Sequence, residues 1–222
     1  MKRIFEGEVY EVLPLSNGII FSYCKEVLEK NIVVAYKMLS FETGAITDVA
    51  KNIYLLTKFG SGYKAVVNYC DNYITVKSLA LLGGKVFLLA TDGSAQLLDD
   101  DATPIWTGTL TYRSSTPSDI VLYNNVLWAS YSECNVLVRY NLSTMREELR
   151  LGGSRSPFNK PKNLFLEGDV VTVCNGGSKS IVNVNLNTYA VEEVATFEEP
   201  VWQYIKSGDY SFVVLESGLY LI

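Results

Sequence analysis

Apolar residues in this chain come in short runs that stop at a tight polar turn and restart at once. The pattern recurs five times. IIFSYC (residues 19–24) restarts as NIVVAY, VVNYCDN (66–72) as YITV, and IVLYNN (120–125) as VLWASY. LFLEGD (164–169) restarts as VVTV, and QYIKSGD (203–209) as YSFVV. The runs are rich in Val, Ile, Leu, Phe and Tyr, which suit a pleated, packed surface. Near-continuous stretches such as Ile19, Ile20 and Phe21, or Val66 and Val67, predict strands buried on both faces. The turns are Asp71-Asn72, Asn124-Asn125, Gly168-Asp169 and Gly208-Asp209. Such pairs tolerate the positive φ angles that two-residue hairpins demand. The first copy differs, because residues 25–31 (KEVLEKN) predict a longer connection.

A second hairpin follows in most copies. Residues 141–144 sit between two predicted strands in VLVRYNLSTMREEL, and residues 185–188 do so in IVNVNLNTYAVEEV. FLLATDGSAQLL turns at Asp92-Gly93. A full copy therefore reads as a meander of four antiparallel strands, with loops too short for crossover helices. No segment shows a helical period flanked by caps. The copies begin near residues 19, 65, 119, 163 and 201, a spacing of roughly 40 to 55 residues that marks repeat architecture. One twisted sheet cannot bury both its faces alone, whereas radially packed sheets cover one another. The expected fold is all-β, a five-bladed β-propeller of four-stranded antiparallel blades in one domain over residues 1–222. Trp106 and Trp128 fall within predicted strands and read as packing residues.

The two ends carry the sharpest expectation. The last copy stops after GLYLI, one strand short, while residues 3–12 (RIFEGEVYEV) form a spare strand before the first copy. That strand is expected to lie beside residues 218–222 and cover an edge that would otherwise invite aggregation. Two other architectures also fit: a six-bladed ring that uses an extra hairpin around residues 76–91, and a two-sheet β-sandwich. On these repeats the chain resembles the β-propeller repeat superfamily, in the broad sense that includes tachylectin-like lectins and five-bladed glycosidases. The resemblance spans nearly the whole chain as a pattern. It has no WD dipeptide and no in-register kelch double glycine, so it implies a fold and carries over no functional residue.

Composition narrows the function. Of 222 residues 48% are hydrophobic and 19% charged, enough apolar material for a core and little sign of disorder. A net charge of −5 argues against a nucleic-acid partner, which calls for a basic face to displace counterions. The start MKRIFEGEVYEV places Glu6, Glu8 and Glu11 where a signal peptide needs an apolar stretch. No window reaches the roughly 18 apolar residues of a membrane span, so a cytoplasmic protein without a membrane partner is expected. Cys24, Cys70, Cys134 and Cys174 form no CxxC pair and read as free thiols. Gly83-Gly84, Gly152-Gly153 and Gly176-Gly177 read as turns, not phosphate loops.

The chain has no histidine, which closes Ser-His-Asp and Cys-His mechanisms and imidazole-based zinc sites. Asp71, Asp169 and Asp209 recur at one turn position, with Asp119 at the far end of its strand. They suit hairpin turns better than the paired carboxylates of a glycoside hydrolase. Asp99, Asp100 and Asp101 lack the alternating ligands and glycine of a calcium loop. The links between copies are more promising: residues 58–64, 110–118, 152–162 and 197–203. They are expected to emerge on one face, opposite the first-hairpin turns, and they carry Tyr63, Tyr112, Arg113, Arg155, Phe158, Lys160 and Trp202. Aromatic and Arg side chains are the usual anchors of binding surfaces. The sequence therefore points to a non-enzymatic, cofactor-free and metal-free module that presents these links to a protein or peptide. Carbohydrate recognition is the alternative, and a carboxylate-dependent glycoside hydrolase a third reading.

Overall fold

The computed structural model describes residues 1–29, 31–60, 76–82, 85–99 and 101–222, with 76–82 described by backbone alone. It contains five four-stranded antiparallel sheets in a five-bladed β-propeller arrangement. The strands are β1 (Lys2–Glu6), β2 (Val9–Leu15), β3 (Gly18–Leu28), β4 (Asn31–Ser40), β5 (Ile46–Asp48), β6 (Val76–Leu82), β7 (Lys85–Ala90), β8 (Ser94–Leu98), β9 (Pro104–Thr109) and β10 (Asp119–Tyr123). They continue as β11 (Val126–Tyr131), β12 (Val136–Asn141), β13 (Glu147–Gly152), β14 (Pro161–Glu167), β15 (Val170–Asn175), β16 (Ser180–Asn185), β17 (Val191–Thr196), β18 (Val201–Ser207), β19 (Tyr210–Leu215) and β20 (Gly218–Leu221). Four sheets are consecutive meanders, β2 to β5, β6 to β9, β10 to β13 and β14 to β17; the fifth has the order β1-β20-β19-β18. The chain divides into two compact units, one of Met1–Gly60 with Phe197–Ile222 and one of Ser61–Thr196.

In the first unit the ends of the chain meet as expected. Strand β1 pairs antiparallel with β20, Lys2 opposite Leu221 and Glu6 opposite Gly218. Gly218 is required there: at its φ of +151° an added Cβ would lie 2.1 Å from the Phe5 carbonyl oxygen. The expected strand over residues 3–12 is in fact two. Gly7, at φ 122°, ends β1, and Val9 opens the neighbouring sheet as β2. Phe5 joins the two sheets through its ring, which packs 5.2 Å from Phe21 and 4.8 Å from Tyr23. Gln203 joins them through the main chain. Its amide nitrogen donates to the Val12 carbonyl at 2.9 Å, and the Val12 N–H donates back to its Oε1 at 2.7 Å. The Ser207 hydroxyl adds a bond to the Leu15 carbonyl at 2.6 Å.

Two features of this unit depart from the sequence reading. The predicted loop over residues 25–31 is mostly strand: β3 runs on to Leu28, and β4 restarts at Asn31. A helix, α1 (Lys51–Phe59), follows β5 where no helix was expected. Its signals are weak, because Ala50 at the N-cap makes no side-chain bond and the first turn holds no acid. Tertiary contacts hold it. Tyr54 packs against Tyr36 with ring centroids 4.6 Å apart, its hydroxyl donates to Glu11, and the Lys58 ammonium donates to the same carboxylate at 2.7 Å.

The second unit shows why the central strands read as unbroken apolar runs. All six residues of β11 are buried. Leu127, Ala129 and Tyr131 enter one core cluster with Phe87, Leu89 and Leu97, while Val126 and Trp128 enter another with Val171, Val173 and Val184. Each alternate side chain thus faces a different neighbouring sheet, with roughly 1.5 to 3 kcal/mol gained per large apolar side chain removed from water. The fourth strands, β9, β13 and β17, are the exposed edges. Asp119 bridges two sheets, its Oδ2 accepting from the Leu164 N–H and the Asn163 amide, both at 2.9 Å. The hairpin over residues 76–90, assigned in the sequence to a sixth blade as one option, opens the β6 to β9 sheet. The opening strand expected near residue 65, with its Asp71-Asn72 turn, lies outside the described residues. So do Tyr63, Cys70, Gly83, Gly84 and Asp100. The turns at Asn124-Asn125, Gly168-Asp169 and Gly208-Asp209 stand where predicted, with positive φ at both asparagines and both glycines. Cys24, Cys134 and Cys174 are thiols and form no disulfide. No helix among the described residues is long and apolar enough to cross a membrane.

Two predictions follow from these contacts. Gln203→Glu keeps the acceptor for Val12 N–H but sets a carboxylate against the Val12 carbonyl. Urea unfolding is expected to show a loss of about 1 to 3 kcal/mol. The second concerns alkali. The Tyr131 and Tyr140 hydroxyls bond at 2.8 Å, and burial pushes both above the ordinary tyrosine value. Their neutral forms belong to the folded state, so stability is complete below about pH 10 and falls as pH climbs past it. A Tyr131→Phe, Tyr140→Phe double variant is expected to lose less stability between pH 8 and 11 than the parent, as read from its unfolding midpoints.

Candidate functional site

In the 61–196 unit two of the expected links, residues 110–118 and 152–162, are tied to the 3-10 turn of Ser132–Cys134 and to the residue that closes it, Asn135. Asn135 is left-handed, at φ 55°, a conformation its short amide side chain tolerates. Its Oδ1 accepts the Lys160 N–H at 2.8 Å. Its carbonyl accepts the Gly153 N–H at 3.2 Å and the Ser156 hydroxyl at 2.8 Å. Gly152 passes so close that an added Cβ would meet the Asn135 carbonyl oxygen at 2.5 Å. From the far side Asn175, fully buried, accepts the Asn159 N–H at 3.2 Å and donates to the Pro157 carbonyl at 3.2 Å. Residues 152–160 are thereby pinned from both flanks. The other link is tied to the same turn, with Cys134 Sγ 3.8 Å from the Tyr112 carbonyl oxygen and 3.7 Å from the Ser115 hydroxyl.

The structure sorts the expected link residues into two kinds. Tyr112 and Phe158 are interior, at 9% and 2% exposure. Phe158 packs with Trp128, Leu164 and Val182. The Tyr112 ring lies 5.6 Å from Tyr131, and its hydroxyl accepts from Arg150. Packing turns both rings inward although they sit in link sequence. Arg113, Arg155 and Lys160 are exposed. Arg113 sits at φ 49° with its guanidinium 5.6 Å from the Tyr112 ring centroid, and Arg150 approaches the same ring at 5.2 Å. Lys160 is left-handed at φ 51°. Among the described residues none of Arg113, Arg155 and Lys160 makes an ion pair. Glu133, on the central turn, is an exposed acid of this surface. Trp202 belongs to the other unit, where it lines a separate cavity with Tyr10.

The acidic residues serve local structure. Asp169 accepts from the side-chain amides of Asn185 and Asn187 at 3.3 and 2.9 Å. Asp99 accepts the Asp101 and Thr103 N–H groups at 3.1 and 2.8 Å, the geometry of an Asx turn. Asp209 is an exposed turn residue. Sequence reasoning missed a second feature of this unit, a notch of about 220 Å³ lined by Tyr123, Asn124, Trp128, Arg139, Asn187 and Tyr189. Arg139 Nη1 donates to the Tyr189 hydroxyl at 2.7 Å, and Nη2 lies 3.3 Å from Glu148. The notch draws on two hairpin turns that lie 63 positions apart in their asparagines (124 and 187), so no local signal marks it.

No protein-family model matches the chain, and no curated protein matches it. Solved structures do. The computationally designed Ika4 protein aligns with a TM-score of 0.52 at 12% identity, over 67% of this chain and 90% of its own. The designed Ika8 protein gives 0.51 at 12% identity over 96% of this chain, which spans 57% of Ika8. The glutaminyl cyclase of Myxococcus xanthus gives 0.48 at 11% identity, over 96% and 95% of the two chains. Likeness at such identities shows the fold alone.

The pinned link yields a prediction. Asn135→Ala removes the acceptor for Lys160 N–H and the tolerance for a left-handed turn. Hydrogen exchange is expected to show faster amide exchange at residues 153–160, with a stability loss of about 1 to 2 kcal/mol.

Proposed function

We propose that this protein is a non-enzymatic binding module that presents the link surface of its 61–196 unit to an acidic peptide or protein segment. The observation that carries the reading is the exposed trio Arg113, Arg155 and Lys160, held on loops that hydrogen bonds fix in place. The cations stand on a chain whose formal net charge is −5, so this surface runs against the global charge. Arginine suits such a role because its planar fork pairs with carboxylates in a fixed geometry. Rigid loops lower the entropy lost on binding. Exposed charge pairs contribute about 0.2 to 1 kcal/mol each. The trio therefore serves encounter rate and selectivity more than affinity.

A second reading, carbohydrate recognition, is favoured by the notch at Arg139. Val126, Trp128 and Leu186 line it beside Tyr123, Tyr189, Asn124, Asn187 and Arg139. Aromatic rings with hydroxyl, amide and guanidinium groups offer both the apolar contact and the hydrogen bonds that a sugar takes.

The test is direct. A fluorescein-labelled peptide rich in Asp and Glu is titrated with the parent and with an Arg113→Glu, Arg155→Glu, Lys160→Glu variant. The parent is expected to bind with an affinity that falls as salt rises, and the variant at least tenfold more weakly. Equal binding by both proteins, or parent binding indifferent to salt, removes the reading. Binding of neutral oligosaccharides that Arg139→Ala abolishes would favour the second.

A further inference from the structure

The unit formed by Met1–Gly60 and Phe197–Ile222 holds a cavity of about 580 Å³, lined by Glu8, Val9, Tyr10, Trp202, Leu215 and Glu216. Its two aromatic residues reach it by the same backbone device. Pairing between β2 and β3 slips between Val9 and Glu11, so Tyr10 is the extra residue of a bulge. Pairing between β18 and β19 slips between Val201 and Gln203, so Trp202 is the extra residue there. Bulges re-aim a side chain away from the regular alternation of a strand. The slip recurs in β14 between Pro161 and Asn163, where the extra residue is Lys162. The irregularity thus belongs to the repeat, and what distinguishes this unit is the pair of aromatic rings placed on it. Both rings stay open, Tyr10 at 40% and Trp202 at 37% exposure, although their neighbours Val9, Val12, Val201 and Ile205 are buried.

Among the described residues that line this cavity, charge has one sign. Glu8 and Glu216 are exposed acids of its rim, and none of its described lining residues is basic. Among the described residues neither carboxylate makes an ion pair. The adjoining Glu199 differs, since both its oxygens are taken by Ser217, from the N–H at 2.8 Å and the hydroxyl at 2.7 Å. Partial desolvation, the Cys24 thiol and Glu8 together push the Tyr10 hydroxyl above its ordinary value, so the phenol stays neutral. A tryptophan, a neutral tyrosine and two carboxylates around one hollow favour a single class of ligand. Aromatic faces attract cations by about 0.5 to 2 kcal/mol each, carboxylates add Coulomb attraction, and an anion is repelled.

We propose that this cavity binds an organic ammonium group, presented either by a small molecule or by a lysine side chain of a peptide. The site is separate from the Arg113, Arg155 and Lys160 surface and shares no residue with it, so the two readings stand or fall independently.

The experiment follows the indole N–H of Trp202 by NMR in the ¹⁵N-labelled full chain, with Trp202→Phe to assign it. Choline is titrated beside 3,3-dimethylbutan-1-ol, its uncharged isostere. Choline is expected to shift the Trp202 signal saturably, and the isostere to bind at least tenfold more weakly. A Glu8→Gln, Glu216→Gln double variant should weaken choline about tenfold and leave the isostere unchanged. These side chains are exposed, and an unaltered spectrum elsewhere verifies the fold. N-acetyl-lysine methyl amide and its trimethylated form identify the source. Tighter binding by either points to a peptide side chain, and tighter binding by choline to a free small molecule. Equal binding of choline and the isostere, or no shift of Trp202 with any of the four, overturns the proposal.

Discussion

A four-stranded sheet with two apolar faces cannot stand alone in water, and within each unit neighbouring sheets meet that constraint. In the 61–196 unit β11 shows this by sending alternate residues into two cores. For the last sheet, three strands come from the end of the chain and the fourth from its first residues. Without β1 the main chain of β20 would be an open edge of Leu219, Tyr220 and Leu221, a template for pairing with another molecule. Gly218 makes the closure sterically feasible, and Phe5 extends it into the next sheet.

Between sheets, side chains do what main chain does within them. Gln203 pairs with both main-chain groups of Val12 as a strand residue would. Asp119 accepts the Leu164 N–H, and Asn135 and Asn175 clamp the link between β13 and β14. A buried main-chain group left without a partner costs about 1 to 3 kcal/mol. These four polar residues therefore fix how adjacent sheets dock, beyond the apolar contact that brings them together. Asn135 and Asn175 also immobilise the link that carries Arg155 and Lys160, so stability and these exposed cations share their supports.

The two units expose opposite charge on their links and bulges. The 61–196 unit offers three cations on rigid links. The other unit offers two carboxylates and two aromatic rings around a cavity. One architecture thus carries opposite chemistries, because link residues and bulge positions lie outside the buried strand faces and vary without disturbing the core.

Much of the fold was legible in the sequence, because strand alternation and two-residue turns are local and repeat five times. Asn124-Asn125, Gly168-Asp169 and Gly208-Asp209 named their hairpins, and the missing last strand named its replacement. Where the repeat was read one strand out of phase, at Ile19, the cause is that apolar runs mark the buried second strand β3 more strongly than the first. Helix α1 was illegible, since Tyr54 and Lys58 hold it through Glu11, 43 and 47 positions away in sequence. Exposure was also beyond the sequence. Tyr112 and Phe158 look like their neighbours Arg113 and Lys160, yet packing buries the rings and leaves the cations in water. Tyr10 and Trp202 show the reverse, two rings inside strands that bulges turn outward. Local pattern fixes which segments are strands and how they turn. The bulges, the clamps and the pairing of distant segments decide which side chains are buried and which reach the surface, because those contacts join residues that no short window contains.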